Sequence, residues 1–593
     1  MLHWYLRQGW PKQLVVLAVV AVAVPILWTA IASYLFVDLM GHGLRQYYPR
    51  RDVSSYLVWW DYFLTDAQPL RIQGWLAVSG VAAAVPFIAF IARQAMDYAG
   101  GGQRRPLRAG HGGLRPIEAG VTDNYGSARI LTEKECLKRY PGPCGVVIGE
   151  LRTGRAGTAP LVIDPGATGA GHGMLIAGTR AGKTTSAVTM LLHWLTSAIV
   201  LDPSAEMGIM LEDALRRNGK TVHLLNPEIP GSGFNALAWI DITKPLAAMD
   251  VKEVISWVFP DDKNKTVQKD GYFEPTGKSL CTAILADLLW SDRPAAEKTL
   301  RTFRKLVVTT ESQMKGLLAD IHAGSKSPMA RDLAGTLMKI TPKQFSGVYG
   351  QATQGTEWLS EPELADLVSG NKFRTSDIID GNTIVFCQIP LHTLEQSPGA
   401  GRVIIGALMQ AVYNAKGKTK GRVLVLLDEA WCLGSMQVQK SAIVAGAKSG
   451  LTLVFLYQAV GQVREVWGEQ GAITLYNNLE WRAVAACRDS VTAEEVSKAF
   501  GQIGVVSSSE GVNAGSQRPV FALWGSKTSG DTSNRSEIAR RLVLPQEILE
   551  APRDEMFVIA NGNMRLRMPV YYRRPELQGV VKPSPYYTAI AAG

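Results

Sequence analysis

Cysteine, histidine and charge are all scarce in this 593-residue chain. The six cysteines, Cys136, Cys144, Cys281, Cys387, Cys432 and Cys487, form no C-x-x-C pair and have no histidine at ligand spacing. That excludes a disulfide scaffold or a Cys/His metal module and leaves reduced, mostly buried thiols as the expectation. Charged residues amount to 19% against 47% hydrophobic ones. The balance leaves little room for long disorder and points to a segment that meets lipid. A single core is excluded too, since domains run to about 100–200 residues and roughly three or four units are expected at this length. The net charge of +10, from 62 Lys and Arg against 52 Asp and Glu, fits nucleic acid or the acidic face of a membrane and chooses neither.

Two uncharged stretches are present. Residues 14–37 (LVVLAVVAVAVPILWTAIASYLFV) would form a helix of about 36 Å, enough to cross the hydrocarbon with some tilt, and 74–92 (GWLAVSGVAAAVPFIAFIA) is a second candidate. A cleaved leader fits the first poorly, because its apolar run is too long and no small-residue cleavage site ends it. Arg7 and Lys12 precede the first stretch, and Arg93, Arg104, Arg105, Arg108 and Arg115 follow the second, so both termini are expected in the cytoplasm. The loop between them, about 38–73, carries Arg45, Arg50, Arg51 and Arg71 balanced by Asp38, Asp52, Asp61 and Asp66. The expected organisation is a membrane anchor over 1–99 and a Gly/Arg-rich linker over 100–120.

The segment GMLIAGTRAGKTTSAVTMLLHWL reads as an apolar strand, a loop and a helix with small residues on its first turn. This is the context a phosphate-binding loop needs. The loop residues are Ala177, Gly178, Thr179, Arg180, Ala181, Gly182, Lys183, Thr184 and Thr185, with Ala177 in place of the first glycine of G-x-x-x-x-G-K-[ST]. Backbone N–H groups and the helix N-terminus offer fixed positive dipoles to phosphate, Lys183 can reach the β- and γ-oxygens, and the Thr184 hydroxyl suits Mg²⁺. VLVLLDEAWCLG (423–434) supplies the complementary half, a doubly covered strand ending in acids. Asp428 is placed to hold Mg²⁺ and Glu429 to polarise an attacking water. A third strand, LTLVFLYQ (451–458), ends in Gln458, a side chain able to sense a γ-phosphate or position water. Further strands are expected at 198–203, 221–227, 382–390, 481–487 and 556–562, alternating with helices, which predicts a mostly parallel, doubly wound α/β sheet.

Lys183 and Asp428 lie 245 positions apart, more than a compact nucleotide core requires. Residues 260–372 carry helical patterns bordered by Pro294, Pro328 and Pro342, so an all-α insertion is expected between 121–259 and 373–593, the two parts of the core.

The chain resembles the type IV coupling proteins of the TraG/TraD class. The resemblance is carried by YGSAR (125–129), IAGTRAGKTT (176–185), LDPSAE (201–206), FNALAWID (234–241), FRTSDIIDGNTIVFCQIP (373–390), LLDEAWCLG (426–434), RRLVLPQEIL (540–549) and DEMFVIANG (554–562). It implies a RecA-like P-loop core and a hexameric inner-membrane ATPase that uses ATP and Mg²⁺. It also implies that the ATPase brings a DNA–relaxase complex from the relaxosome to a type IV secretion channel, with protein effectors as a second substrate class. A chromosome-type double-stranded DNA translocase would have more spans and a C-terminal winged domain, which the sequence does not suggest. A non-hydrolysing adapter is opposed by the intact Lys183, Thr184, Asp428 and Glu429.

Three departures stand out. The family's Asp-x-Lys-Gly-Glu is Asp202-Pro203-Ser204-Ala205-Glu206 here, without the lysine. Where members that use a trans-acting arginine have G-R-K-x-G, this chain has Gly446-Ala447-Lys448-Ser449-Gly450, so Lys448, Arg482 or Arg488 is expected to supply that cation. No long acidic tail follows the last expected strand. For contact with DNA the candidates are Lys263, Lys265 and Lys269, and Arg301, Arg304, Lys305 and Lys315 on the inserted helices.

Overall fold

In the computed structural model, residues 10–39, 124–153, 157–259, 271–516 and 527–586 are described, with 57, 74, 76–85 and 88. They belong to two units, Met1–Pro116 and Ile117–Gly593. In the first unit one helix runs Trp10–Leu39 with Pro25 inside it. The Trp28 indole donates to the Gly80 carbonyl at 3.0 Å, which ties this helix to the helical stretch 76–85. Side chains of the first helix are described over 22–36, and among the described residues no helix is long and apolar enough to cross a membrane. The stretch 14–37 lies within the helix, whereas 75, 86, 87 and 89–92 of the second stretch lie outside the described residues. So do nearly all of the connecting loop, the linker 100–120, and Lys263, Lys265 and Lys269.

The second unit is built on an eleven-stranded sheet. Its strands are β1 (Val146–Thr153), β2 (Gly157–Ile163), β3 (Gly173–Ala177), β4 (Ala198–Leu201), β5 (Thr221–Leu225), β6 (Thr383–Cys387), β7 (Val423–Leu427), β8 (Leu451–Tyr457) and β9 (Trp481–Ala485), followed by β12 (Glu555–Ala560) and β13 (Gly562–Arg567). The spatial order is β2-β1-β13-β12-β9-β3-β8-β7-β4-β6-β5. From β9 to β5 every pairing is parallel, and from β2 to β9 every pairing is antiparallel. The expected strands all occur. They are legible because runs such as VLVLL and LTLVFLY are buried at every position, as parallel strands covered on both faces must be. Alternate side chains feed opposite layers. Met174 and Ile176 of β3 join one core with Phe455 and Tyr457 of β8, while Leu175 and Ala177 join the other with Leu456.

Between β5 and β6 the chain is helical: Ala247–Val258, Phe273–Trp290, Leu300–Val307, Glu311–Gly324, Pro328–Leu337, Pro342–Gly355 and Pro362–Ser369. Prolines at the first helical positions of the last three fit the rule that a missing N–H costs nothing there. Thr310 closes a capping box with Gln313, and Thr299 caps the helix that buries Leu300, Phe303 and Val307 on one face. These helices share a core with the sheet. Several charges that the sequence offered to DNA are committed internally. Arg301 pairs with Asp366, and Arg304 donates to Thr353 O, Thr356 Oγ1 and Ser360 Oγ at 2.6–3.0 Å. Lys315 pairs with Glu311 at 3.5 Å, and Lys305 is exposed. A second sheet is a long ribbon of β10 (Gln502–Ser516) against β11 (Lys527–Arg541), which the Ser/Gly-rich sequence did not announce.

Candidate functional site

Parallel pairing in close register brings the ends of five strands to one edge. Ile176 lies opposite Tyr457, Leu427 opposite Leu201, and Leu201 opposite Cys387. The residues that follow these strands therefore emerge side by side: the loop from Gly178, then Gln458, Asp428, Asp202 and Gln388. Positions spread over more than 280 residues of sequence converge because the strands are parallel and their C-terminal ends share one side.

The loop between β3 and the helix Lys183–His193 turns through two left-handed residues, Arg180 (φ 60) and Gly182 (φ 93). Gly182 is needed: a Cβ there would sit 3.0 Å from Thr185 Oγ1 in a backbone region that disfavours side chains. Ala177 substitutes for a glycine without strain, since it is the buried last residue of β3 and has no positive φ. Thr185 Oγ1 donates to Gly182 O at 2.7 Å and fixes the first turn.

Lys183, nearly buried, lies 3.1 Å from Glu429 Oε1. Glu429 sits in a left-handed conformation (φ 51) just after β7 and is the hub of the site. Its carboxylate also accepts from Gln458 Nε2, at 3.1 Å to each oxygen, and from the Trp431 indole at 3.0 Å. Asp428 beside it is buried. Burial first and the Glu429 charge second push its carboxyl up to about 7, against the pull of Lys183. Asp202 is fully buried and its carboxyl is likewise raised by burial, opposed by hydrogen bonds from Gln388 Nε2 (3.0 Å), Gly208 N (2.9 Å) and Met207 N (3.3 Å).

Gly178–Thr185, Asp428, Glu429 and Gln458 line one cavity of about 900 Å³; Ala177 stays in the strand behind it. Every other loop and acid residue singled out from the sequence is thus brought together. Sequence reasoning missed further lining residues: Glu206, after the strained Ala205 (φ 53), and Tyr571, Tyr572 and Arg573 near the C-terminus. The motif LDPSAE contained a signal for Asp202 and Glu206; the tyrosines had none. The three candidate trans cations separate. Arg488 lines a neighbouring cavity beside Gly178–Arg180 of its own chain, and Arg482 packs over the Tyr476 ring, 4.5 Å from its centroid. Lys448 is exposed in the turn that enters β8, at the opposite end of the sheet from the chain's own loop.

The donor set suits a divalent cation. Burial first, and then the nearby Glu429 and Asp202 carboxyls, penalise the ionised form of Asp428 against the pull of Lys183, a penalty that a bound cation would relieve. Among the described residues no group of three or more His, Cys, Asp or Glu could hold a metal alone. Thr184 and Asp428 would therefore hold Mg²⁺ together with phosphate oxygens and water, as this ion prefers.

Residues 128–590 match the family described as Type IV secretory system Conjugative DNA transfer. The conjugal transfer protein TraG of Rhizobium radiobacter is 34% identical over 511 residues, 82% of this chain and 76% of that protein. The type IV secretion system-coupling protein VirD4 of Bartonella henselae is 33% identical over 484 residues, 76% of this chain and 74% of that protein. The plasmid coupling protein TrwB in complex with ADP and Mg²⁺ shares the fold, with a TM-score of 0.55 at 16% identity over 78% of this chain and 97% of that one. A match running through most of the chain, with a third of the sequence shared with TraG and VirD4, establishes that the chain belongs to the type IV secretory system conjugative DNA transfer family and is a type IV coupling protein.

Proposed function

We propose that this coupling protein binds and hydrolyses ATP in the cavity between the loop 178–185 and the acids 428–429, and uses the cycle to pass a DNA–relaxase substrate to a type IV secretion channel. The observation that supports this best is the convergence of Lys183, Asp428, Glu429 and Gln458 on one cavity with the phosphate loop. TrwB has been solved with ADP and Mg²⁺ and with ATP and GTP analogues, which supports a nucleoside phosphate as the ligand here.

The loop N–H groups and Lys183 bind the phosphates, and Thr184 and Asp428 orient the bound ion. That ion, when present, neutralises charge on the β- and γ-oxygens. Glu429 polarises the attacking water once it leaves Lys183, for which the γ-phosphate is a replacement anion. Gln458, already bonded to Glu429, reports on that change. In a homo-hexameric ring Lys448 is the cation that reaches the neighbouring site, since it is exposed and lies at the pole opposite its own loop. The N-terminal unit anchors the chain in the inner membrane through 14–37 and 74–92, with both termini cytoplasmic.

The test is DNA-stimulated phosphate release by the full chain. Lys183→Ala removes it under this reading, and Lys448→Ala lowers it at least tenfold while Arg482→Ala and Arg488→Ala lower it less. Undiminished turnover in Lys183→Ala refutes the assignment of the site, and undiminished turnover in Lys448→Ala refutes the trans cation alone.

A further inference from the structure

The chain does not leave the molecule where the sheet ends. After β13 it runs along the helix that follows the phosphate loop, where Ser186 Oγ and Thr189 Oγ1 donate to Pro569 O at 3.3 and 3.4 Å. Arg574 is then sunk against Glu150 of β1 at 2.8 Å, with both side chains at most 3% exposed, and a second guanidinium nitrogen lies 3.2 Å from His193 Nε2 at the end of the same helix. The return leg crosses the helix Glu206–Arg217. Lys582 N donates to Met210 O at 3.0 Å, Lys582 Nζ pairs with Asp213 at 2.7 Å, and Tyr586 OH donates to Ser204 O at 2.7 Å. A segment fastened at both ends therefore spans one side of the nucleotide cavity.

Its contribution to the cavity wall differs in chemistry from that of the loop. The loop side presents Lys183 and backbone N–H groups, suited to phosphate; the segment presents Val570, Tyr571, Tyr572, Pro583 and Ser584, with Arg573 among them as its one cation. Tyr572 is 53% exposed, yet it is not loose on its backbone: it sits in the turn Tyr571–Arg573, its ring is met edge-on by Tyr571 at 5.5 Å, and Arg573 is held to Asp554 at 3.3 Å. A half-exposed aromatic face on a fixed turn, in the same cavity as a phosphate loop, is the arrangement that receives a flat heterocycle.

Resting on the reading that this cavity takes ATP, we propose that the segment Tyr571–Tyr586 is the base-side wall of the site and that Tyr572 stacks on the nucleobase. Arg574 is a positioning residue, holding the turn through Glu150. Because every base has a π-face, the stack favours a nucleoside triphosphate over a bare polyphosphate without choosing strongly among bases.

The full chain, titrated by calorimetry with Mg·ATP and separately with magnesium tripolyphosphate, tests this. Tyr572→Ala should weaken ATP about tenfold and leave tripolyphosphate unchanged, and Tyr572→Phe should retain wild-type affinity for both. Equal loss for both ligands, or no loss for ATP, overturns the stacking role. Lys183→Ala separates the two readings: if it leaves both ligands bound as before, the assignment of the phosphate site fails, whereas loss of both with an inert Tyr572→Ala refutes the base wall alone. Slowed hydrogen exchange across Tyr571–Arg573 with ATP but not with tripolyphosphate is the independent check; equal protection by both contradicts the proposal.

Discussion

Glu429→Gln should make the protein bind ATP more tightly and hydrolyse it more slowly. In the structure Glu429 occupies Lys183, the side chain that must meet the β- and γ-phosphates, and both side chains of the pair are only 10% and 15% exposed. Two unit charges at this pair's separation of 3.1 Å attract by about 5 kcal/mol at an effective dielectric of 20, and desolvation offsets most of that. A net value of about 1–2 kcal/mol remains to be overcome when phosphate replaces the carboxylate, so removing the charge should tighten ATP by about 5- to 30-fold. The amide keeps the shape, so Trp431 and Gln458 still have an oxygen to bond. Loss of the group that polarises water should cut turnover by about 100-fold or more. Calorimetric titration and single-turnover phosphate release on the same preparation measure both effects. Weaker or unchanged ATP affinity in Glu429→Gln would refute the argument that Lys183 is held by Glu429 before nucleotide arrives.

Two other perturbations have signs fixed by the structure. Arg574→Met strands the buried Glu150 carboxylate, which should lower local stability by about 3–5 kcal/mol; hydrogen exchange over 146–153 and 571–577 should accelerate, and adding Glu150→Gln should recover part of the loss. Unchanged exchange would show that the pair does not hold the segment. His172 is fully buried and accepts from Leu453 N at 3.0 Å, and burial lowers its pKa to about 4. It is neutral when folded, so the unfolded chain binds the extra proton between about pH 6.5 and 4. Stability present above pH 6.5 is then lost as pH falls through that window, by up to about 3 kcal/mol. His172→Asn, which keeps an acceptor, should flatten that slope in denaturant titrations; an unaltered slope would assign it to other groups.

The sequence made the centre of the sheet and β12 legible and the rest of the antiparallel flank obscure, for a physical reason. Strands β3, β4, β6, β7 and β8 are buried at every position and read as apolar runs, whereas β13 (GNMRLR) lies on the antiparallel flank and alternates polar with apolar, and the ribbon β10–β11 is rich in Ser, Gly and Asn. At the site, Lys183, Asp428 and Glu429 were readable from local motifs. The Lys183–Glu429 contact was not, because it depends on the register of β3, β8 and β7. The wall built from Tyr571–Tyr586 was out of reach for the same reason: its anchors join residues up to 424 positions apart. Charge without partners was the weakest guide. Arg304 looked available for DNA and instead holds Thr353, Thr356 and Ser360.

The proposed role of nucleotide at Lys183 is to energise transfer, with recruitment of the DNA independent of it. The most direct measurement is a mating assay with Lys183→Ala combined with crosslinking of the transferring DNA strand to the protein. Transfer should fall to background while the strand still crosslinks; transfer at the wild-type level would contradict that role.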